Sequence, residues 1–252
     1  TKYEETQTEG QGIDIILAID VSGSMTAQDF SPNRMEAAKN VAIEFVNHRP
    51  SDRIGVVIFA GESFTQCPLT TDRNVVISQI QQIRNGLLED GTSIGSGLAT
   101  SVDRLRNSTS KSKVVILLTD GVNNGGLIDP STAKEIAKAF HVKVYTIGVG
   151  TNGYAPTPIS TPLGIVMQNE KVTIDEKLLQ DIATETGGKY FRATDNKRLE
   201  NIYKEINQME KSKVTITTYQ RFTEKFYPFV WAALLFLFLE LLFRYTLFKK
   251  FP

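Results

Sequence analysis

The stretch Ile13–Met25 reads IDIILAIDVSGSM. An almost wholly apolar run, Ile13–Ile19, passes directly into an acid and two serines spaced two apart, Asp20, Ser22 and Ser24. A short, nearly continuous β-branched run is the pattern of a strand covered on both faces, as in a parallel sheet flanked by helices. In open sheets of that kind ligands bind outside the carboxyl ends of the strands. Asp20 and Ser22 fall just past such an end.

Three further runs repeat the strand pattern: Ile54–Phe59, Val114–Leu118 and Val142–Val149. Helical periodicity fills the intervals. Arg34–Asn47 puts Met35, Ala38, Val41, Ala42 and Phe45 on one face, and Gly97–Leu105 groups Leu98, Val102 and Leu105. Val75–Ile83 and Thr132–Phe140 are shorter helical patterns, and Glu62–Leu69 reads as a short edge strand ending at Pro68. Alternating strands and helices predict an α/β fold with a doubly wound, mostly parallel sheet flanked by helices. After Gly150 the rhythm breaks. The proline-rich TNGYAPTPISTP (Thr151–Pro162) reads as a loop or hairpin excursion, with Gly164–Met167 and Lys171–Ile174 as candidate strands. A helix at Asp175–Thr186 stops at Gly187-Gly188. Strand Lys189–Ala193, helix Lys197–Met209 and strand Lys213–Gln220 follow. The expected divisions are an extension (1–11), the α/β domain (12–212) with a hairpin insertion at about 151–174, a strand and link (213–225), an apolar helix (226–248) and a basic tail (249–252).

Asp120, in Leu118-Thr119-Asp120-Gly121, lies past the end of another predicted parallel strand. Thr92, in Asp90-Gly91-Thr92-Ser93, lies in the loop that opens the helix near Gly97. Strands ending in Asp20 and Asp120 can be neighbours in a doubly wound order, which brings the two acids face to face. Glycines at 23, 91 and 121 let backbone approach closely. The set Asp20, Ser22, Ser24, Thr92 and Asp120 offers oxygens only. That suits a hard divalent cation, Mg²⁺ first, with Mn²⁺ or Ca²⁺ as substitutes. Neutral hydroxyls in contact leave the ion electron-poor and able to attract one more carboxylate. Helix and turn capping is the plain alternative for Ser22, Ser24 and Thr92.

These residues carry a family resemblance. Asp-x-Ser-x-Ser at 20, 22 and 24, with Thr92 and Asp120-Gly121 downstream, resembles the complete metal-ion-dependent adhesion site of von Willebrand factor type A domains, over roughly 12–209. The resemblance implies that Ser22 and Ser24 bind the ion directly, Thr92 in a ligand-ready state, and Asp20 and Asp120 mainly through water. A second resemblance rests on the hairpin after Gly148-Val149-Gly150, the ETGGKYF stretch at 185–191 and the C-terminal apolar segment. It points to the Bat aerotolerance membrane proteins of bacteria, the BatA type most of all. That resemblance implies an inner-membrane protein with its domain on the periplasmic side. It also implies membrane helices ahead of the domain, other Bat-type proteins as partners, and work with a MoxR-type AAA+ ATPase. The expected function is binding: an Asp or Glu of a partner protein completes the ion's shell. An adhesin meeting an extracellular ligand is the alternative.

The C-terminal FYPFVWAALLFLFLELLFRYTLF, Phe226–Phe248, spans about 34 Å at ~1.5 Å per residue, enough for a ~30 Å hydrocarbon core. Tyr227 and Trp231 suit one interface and Tyr245 the other. Glu240 is the anomaly, with Arg244 one turn on as a pairing candidate. Basic residues flank both ends and do not fix the orientation. Net charge is zero, from 28 basic and 28 acidic residues, and no basic stripe is present, so nucleic acid is not an expected partner. Cys67 stands alone and can form no internal disulfide. Ser93 within GTSIG, with Asp120 and His141, formally follows the residue order of an α/β-hydrolase. No strand leads into Ser93, however, as that site requires. His48 and His141 are expected to lie partly buried at helix ends.

Overall fold

The computed structural model describes residues 2–3, 12–161, 164–211, 222–223 and 226–246. The chain falls into two compact units, Gly10–Thr215 and a second made of Thr1–Glu9 with Ile216–Pro252. In the second, strand β1 (Lys2–Tyr3) pairs antiparallel with β10 (Phe222–Thr223), and α7 covers Tyr227–Thr246.

The larger unit runs β2 (Asp14–Asp20), a 3-10 turn (Gly23–Thr26), α1 (Arg34–Asn47), β3 (Arg53–Phe59) and β4 (Ser63–Thr70). Next come α2 (Arg73–Gln81), α3 (Ile94–Leu105), β5 (Lys113–Thr119), α4 (Pro130–Ala139) and β6 (Lys143–Val149). It closes with β7 (Tyr154–Thr161), β8 (Gly164–Lys171), α5 (Glu176–Glu185), β9 (Tyr190–Ala193) and α6 (Asn196–Lys211). The main sheet has the order β4-β3-β2-β5-β6-β9 and is parallel except for the antiparallel edge strand β4. From β2 the chain winds outward through β3 and β4, then returns to β5 on the other side. The gap between β2 and β5 is thus the switch point where a doubly wound sheet opens a crevice.

Burial follows the sequence pattern. Alternate residues of β2 supply the two faces. Ile15, Leu17 and Ile19 join one core with Met35, Ala38, Ala42 and Phe45 of α1 and with Leu199, Ile202 and Ile206 of α6. Ile16 and Ala18 join the other with Leu98, Val102 and Leu105 of α3 and with Leu179 and Ile182 of α5. Helices start where local chemistry permits. Asn33 caps α1 by accepting the Glu36 N–H at 2.8 Å, and Asp129 caps α4, whose first residue is Pro130.

Several boundaries move. Helix α3 begins at Ile94 rather than Gly97, and α4 at Pro130 rather than Thr132. The edge strand β4 continues past Pro68 to Thr70, which an edge position tolerates. The excursion needs the largest correction. It is one hairpin, β7 against β8, and the strand expected at Lys171–Ile174 does not form beyond Lys171. Tyr154–Thr161 is a strand despite Pro156 and Pro158, because prolines two apart place both missing N–H groups on the same outer side of the ladder. The carbonyl of Pro156 points outward as well, and accepts the Gln28 N–H at 2.8 Å. The expected strand Lys213–Gln220 lies outside the described residues, as do most of 1–11 and the last two residues of the apolar segment.

Candidate functional site

At the carboxyl end of β2, Asp20 is fully buried. Its Oδ1 accepts the Ser22 N–H at 2.9 Å and its Oδ2 accepts the Thr119 hydroxyl at 2.6 Å. Across the switch point, Asp120 follows β5 and is also buried. Its Oδ1 accepts the Ser24 hydroxyl at 2.6 Å, and the Ser22 and Ser24 hydroxyl oxygens lie 3.1 Å apart. Four of the five expected residues are thus joined in one hydrogen-bonded cluster. The fifth, Thr92, arrives from the loop before α3. Its N–H donates to Asn124 Oδ1 at 2.8 Å, and its hydroxyl faces Gly121, where an added Cβ would stand 3.2 Å from it. Among the described residues, its hydroxyl makes no hydrogen bond to the other four. Asp90 latches the same loop onto the serine turn by accepting the Gly23 N–H at 2.9 Å.

Capping does not account for the side chain of Ser22, and the Ser24 hydroxyl is given to Asp120. Ser22 occupies the N-cap position of the 3-10 turn without a side-chain capping bond. Ser93 likewise makes no capping bond to α3.

Two buried acids facing one another resist ionisation. Burial first, and the charge of Asp120 second, push the Asp20 carboxyl up to about 7, against the hydrogen bonds from Ser22 and Thr119. Asp120 is raised too, by burial, although Arg34 and Ser24 pull the other way. Local positive charge would relieve both. The hydroxyl protons of Ser24 and Thr119 are committed to carboxylates, which leaves hydroxyl lone pairs to face an incoming cation. Among the described residues, no three His, Cys, Asp or Glu side chains gather into a group that could hold a metal by themselves. The donor set here is two carboxylates with hydroxyls, a composition for hard cations rather than for zinc.

Sequence reasoning missed Arg34 and Asp29. Arg34 is 3% exposed and donates Nη1 to Asp120 Oδ2 at 2.8 Å. Its Nε and Nη2 clasp both oxygens of Asp29, each at 2.7 Å. Asp29 Oδ2 also accepts the Thr151 N–H at 2.8 Å. Burial works to raise the Asp29 carboxyl, but these bonds outweigh it and hold it below the usual carboxylate range. Gly150, at φ 145°, passes so close that a Cβ there would stand 3.1 Å from Arg34 Nη2. The sequence held one signal for this residue. Arg34 is the first residue of α1, where its charge opposes the helix dipole, and such a placement needs an anionic partner.

The other candidates do not assemble. Ser93 sits before α3 with no strand leading into it, and its hydroxyl donates to the Ala60 carbonyl at 2.6 Å. Both histidines are exposed rather than partly buried. His48 ends α1, and His141 turns the chain into β6 at φ 53°. Among the described residues, no ion pair joins Glu240 to Arg244.

The fold and this cluster define a known class. Residues 14–205 match the von Willebrand factor type A domain, and the chain belongs to that family. It is similar to BatB from Bacteroides thetaiotaomicron, at 30% identity and TM-score 0.67, over 79% of this chain and 100% of that one. An aerotolerance-related membrane protein from Bacteroides fragilis is 29% identical with TM-score 0.67, over 80% of this chain and 100% of that one. An uncharacterized protein of Borreliella burgdorferi is 31% identical over 187 residues, 73% of this chain and 55% of that protein. The chain therefore spans little more than half the length of that curated relative. The expected kinship holds at the level of Bat and aerotolerance-related membrane proteins.

Proposed function

We propose that the chain is a membrane-anchored, non-enzymatic binding module. It holds Mg²⁺, with Mn²⁺ or Ca²⁺ able to substitute, through Ser22, Ser24 and Thr92, while Asp20 and Asp120 act mainly behind water. An Asp or Glu of a partner protein completes the ion's shell. The observation that carries this reading is the pairing of hydroxyl protons with two buried, mutually repelling carboxylates at the sheet's switch point. A cation offsets that repulsion, and the neutral hydroxyls leave it net positive toward an outside acid. When bound, it supplies a Lewis-acidic contact for a carboxylate. The side chains that hold it fix where that carboxylate sits.

Similarity to an aerotolerance-related membrane protein supports a membrane setting; the proposed one is the bacterial inner membrane, with the domain on the periplasmic side. There the partners would be other Bat-type proteins and a MoxR-type AAA+ ATPase in an envelope assembly or maturation complex. The β7–β8 hairpin, tied through Gln28 to the segment after the serine turn, forms a wall for the partner to contact.

Recovery of partner protein from native-membrane detergent extracts tests the role. Thr92→Ala and EDTA treatment are each expected to cut recovery at least about tenfold while the fold survives, since loss of a charge-assisted contact is worth about 1.5–3 kcal/mol. Equal recovery from wild type, Thr92→Ala and EDTA-treated protein would show that partners dock elsewhere.

A further inference from the structure

Arg34 is more than a structural ion pair. We infer that it is the positioning residue that keeps Asp120 from binding the ion directly, and so keeps the ion free for a partner's carboxylate. The inference rests on the metal reading above and assigns a role within it.

The geometry is asymmetric. Asp120 Oδ1 faces the serines through Ser24, whereas Oδ2 is held at 2.8 Å by Arg34 Nη1 on the far side. Moving Oδ1 further, into direct contact with a cation at the serines, draws Oδ2 away from a buried, charge-assisted bond to Arg34. Arg34 cannot follow it. Two bonds to Asp29 fix the guanidinium, and Asp29 is itself fixed by the Thr151 amide. Gly150 passes close to the guanidinium, so that any side chain there would crowd it. The guanidinium also places positive charge behind Asp120, only partly offset by Asp29 on its other edge, and that charge opposes a divalent cation through a poorly screened interior.

Arg34 therefore has a cost and a benefit of opposite sign. It weakens cation binding, and it preserves the charge and the open position that a partner needs. A merely structural arginine predicts the reverse for the first quantity, because removing it would loosen the site and weaken the ion.

The test is Mn²⁺ binding to the full chain in detergent. Affinity is read by calorimetry, and the number of waters on bound Mn²⁺ by proton relaxation. Arg34→Gln is expected to bind Mn²⁺ at least about tenfold more tightly than wild type, an order of magnitude set by Coulomb repulsion across a few ångströms of protein. Its bound Mn²⁺ is expected to carry about one water fewer, displaced by Asp120. Arg34→Lys, which restores the charge, should return affinity to within about threefold of wild type. Because Arg34→Gln strands Asp29 in a buried setting, the double variant Arg34→Gln/Asp29→Asn repeats the measurement without an orphaned charge; the same loss of one water is expected, with a smaller tightening because the negative charge of Asp29 goes as well. Equal or weaker Mn²⁺ binding in the folded variants, or an unchanged water count, overturns the inference and leaves the metal site standing. No Mn²⁺ binding by wild type overturns the metal reading itself.

Discussion

Millimolar Mg²⁺ or Mn²⁺ is expected to raise the melting temperature of the domain by about 5–10 °C over the same protein in EDTA. Asp20→Ala is expected to erase the difference. A ligand that binds only the folded state stabilises it by RT ln(1 + [L]/Kd), about 2.7 kcal/mol at a hundredfold excess over Kd. For a domain of about 200 residues each kcal/mol moves the midpoint by about 2–4 °C. Asp20 is the right residue to remove. It is buried, is fixed by both Ser22 and Thr119, and carries a charge that burial and Asp120 disfavour without a cation. In the absence of divalent ions Asp20→Ala should not destabilise the domain as much as loss of a paired buried acid usually does, because part of the repulsion with Asp120 goes with it. If the mutant answers Mg²⁺ as wild type does, the ion sits somewhere else.

The second large effect concerns partition. The full chain is expected to remain in the membrane pellet after an alkaline wash, and a chain ending at Lys225 to be soluble and folded. Helix α7 has 20 residues, about 30 Å of length, which matches a hydrocarbon core of about 30 Å. Large apolar side chains are exposed along it, among them Phe229, Leu235 and Phe238, as for a helix whose solvent is lipid rather than water. Every residue of the two hydrophobic cores precedes α7, with Met209 the last to pack against them, so the sheet does not depend on it. A full chain that washes off the membrane would make α7 a docking element instead of an anchor.

The sheet was legible because its strands are buried on both faces. Runs such as Ile13–Ile19 and Val114–Leu118 need no partner to be recognised, and Asp20 and Asp120 stand out as polar breaks at their ends. The hairpin was only half legible. Turn-forming prolines in Tyr154–Thr161 mask a strand whose outer side tolerates them, and that tolerance depends on a register the sequence does not display. Asp29 and Arg34 were missed for a different reason. Their partners, Thr151 and Asp120, are distant in the chain, and only the fold brings them together. Thr119 falls just past the expected strand Val114–Leu118, where the pattern assigns it no role, yet its hydroxyl holds Asp20. Local pattern reveals which residues carry the oxygens. The residues that orient those oxygens come from tertiary packing.

The most direct test of the cation site is a calorimetric Mn²⁺ titration of the full chain in detergent, with Asp20→Ala and a Ser22→Ala/Ser24→Ala variant alongside. One ion per chain in wild type, lost or weakened at least about tenfold in both variants, is the result these contacts predict, since each removes a direct or charge-bearing contact worth about 1.5–3 kcal/mol or more. Wild-type affinity and stoichiometry retained in both variants would contradict it.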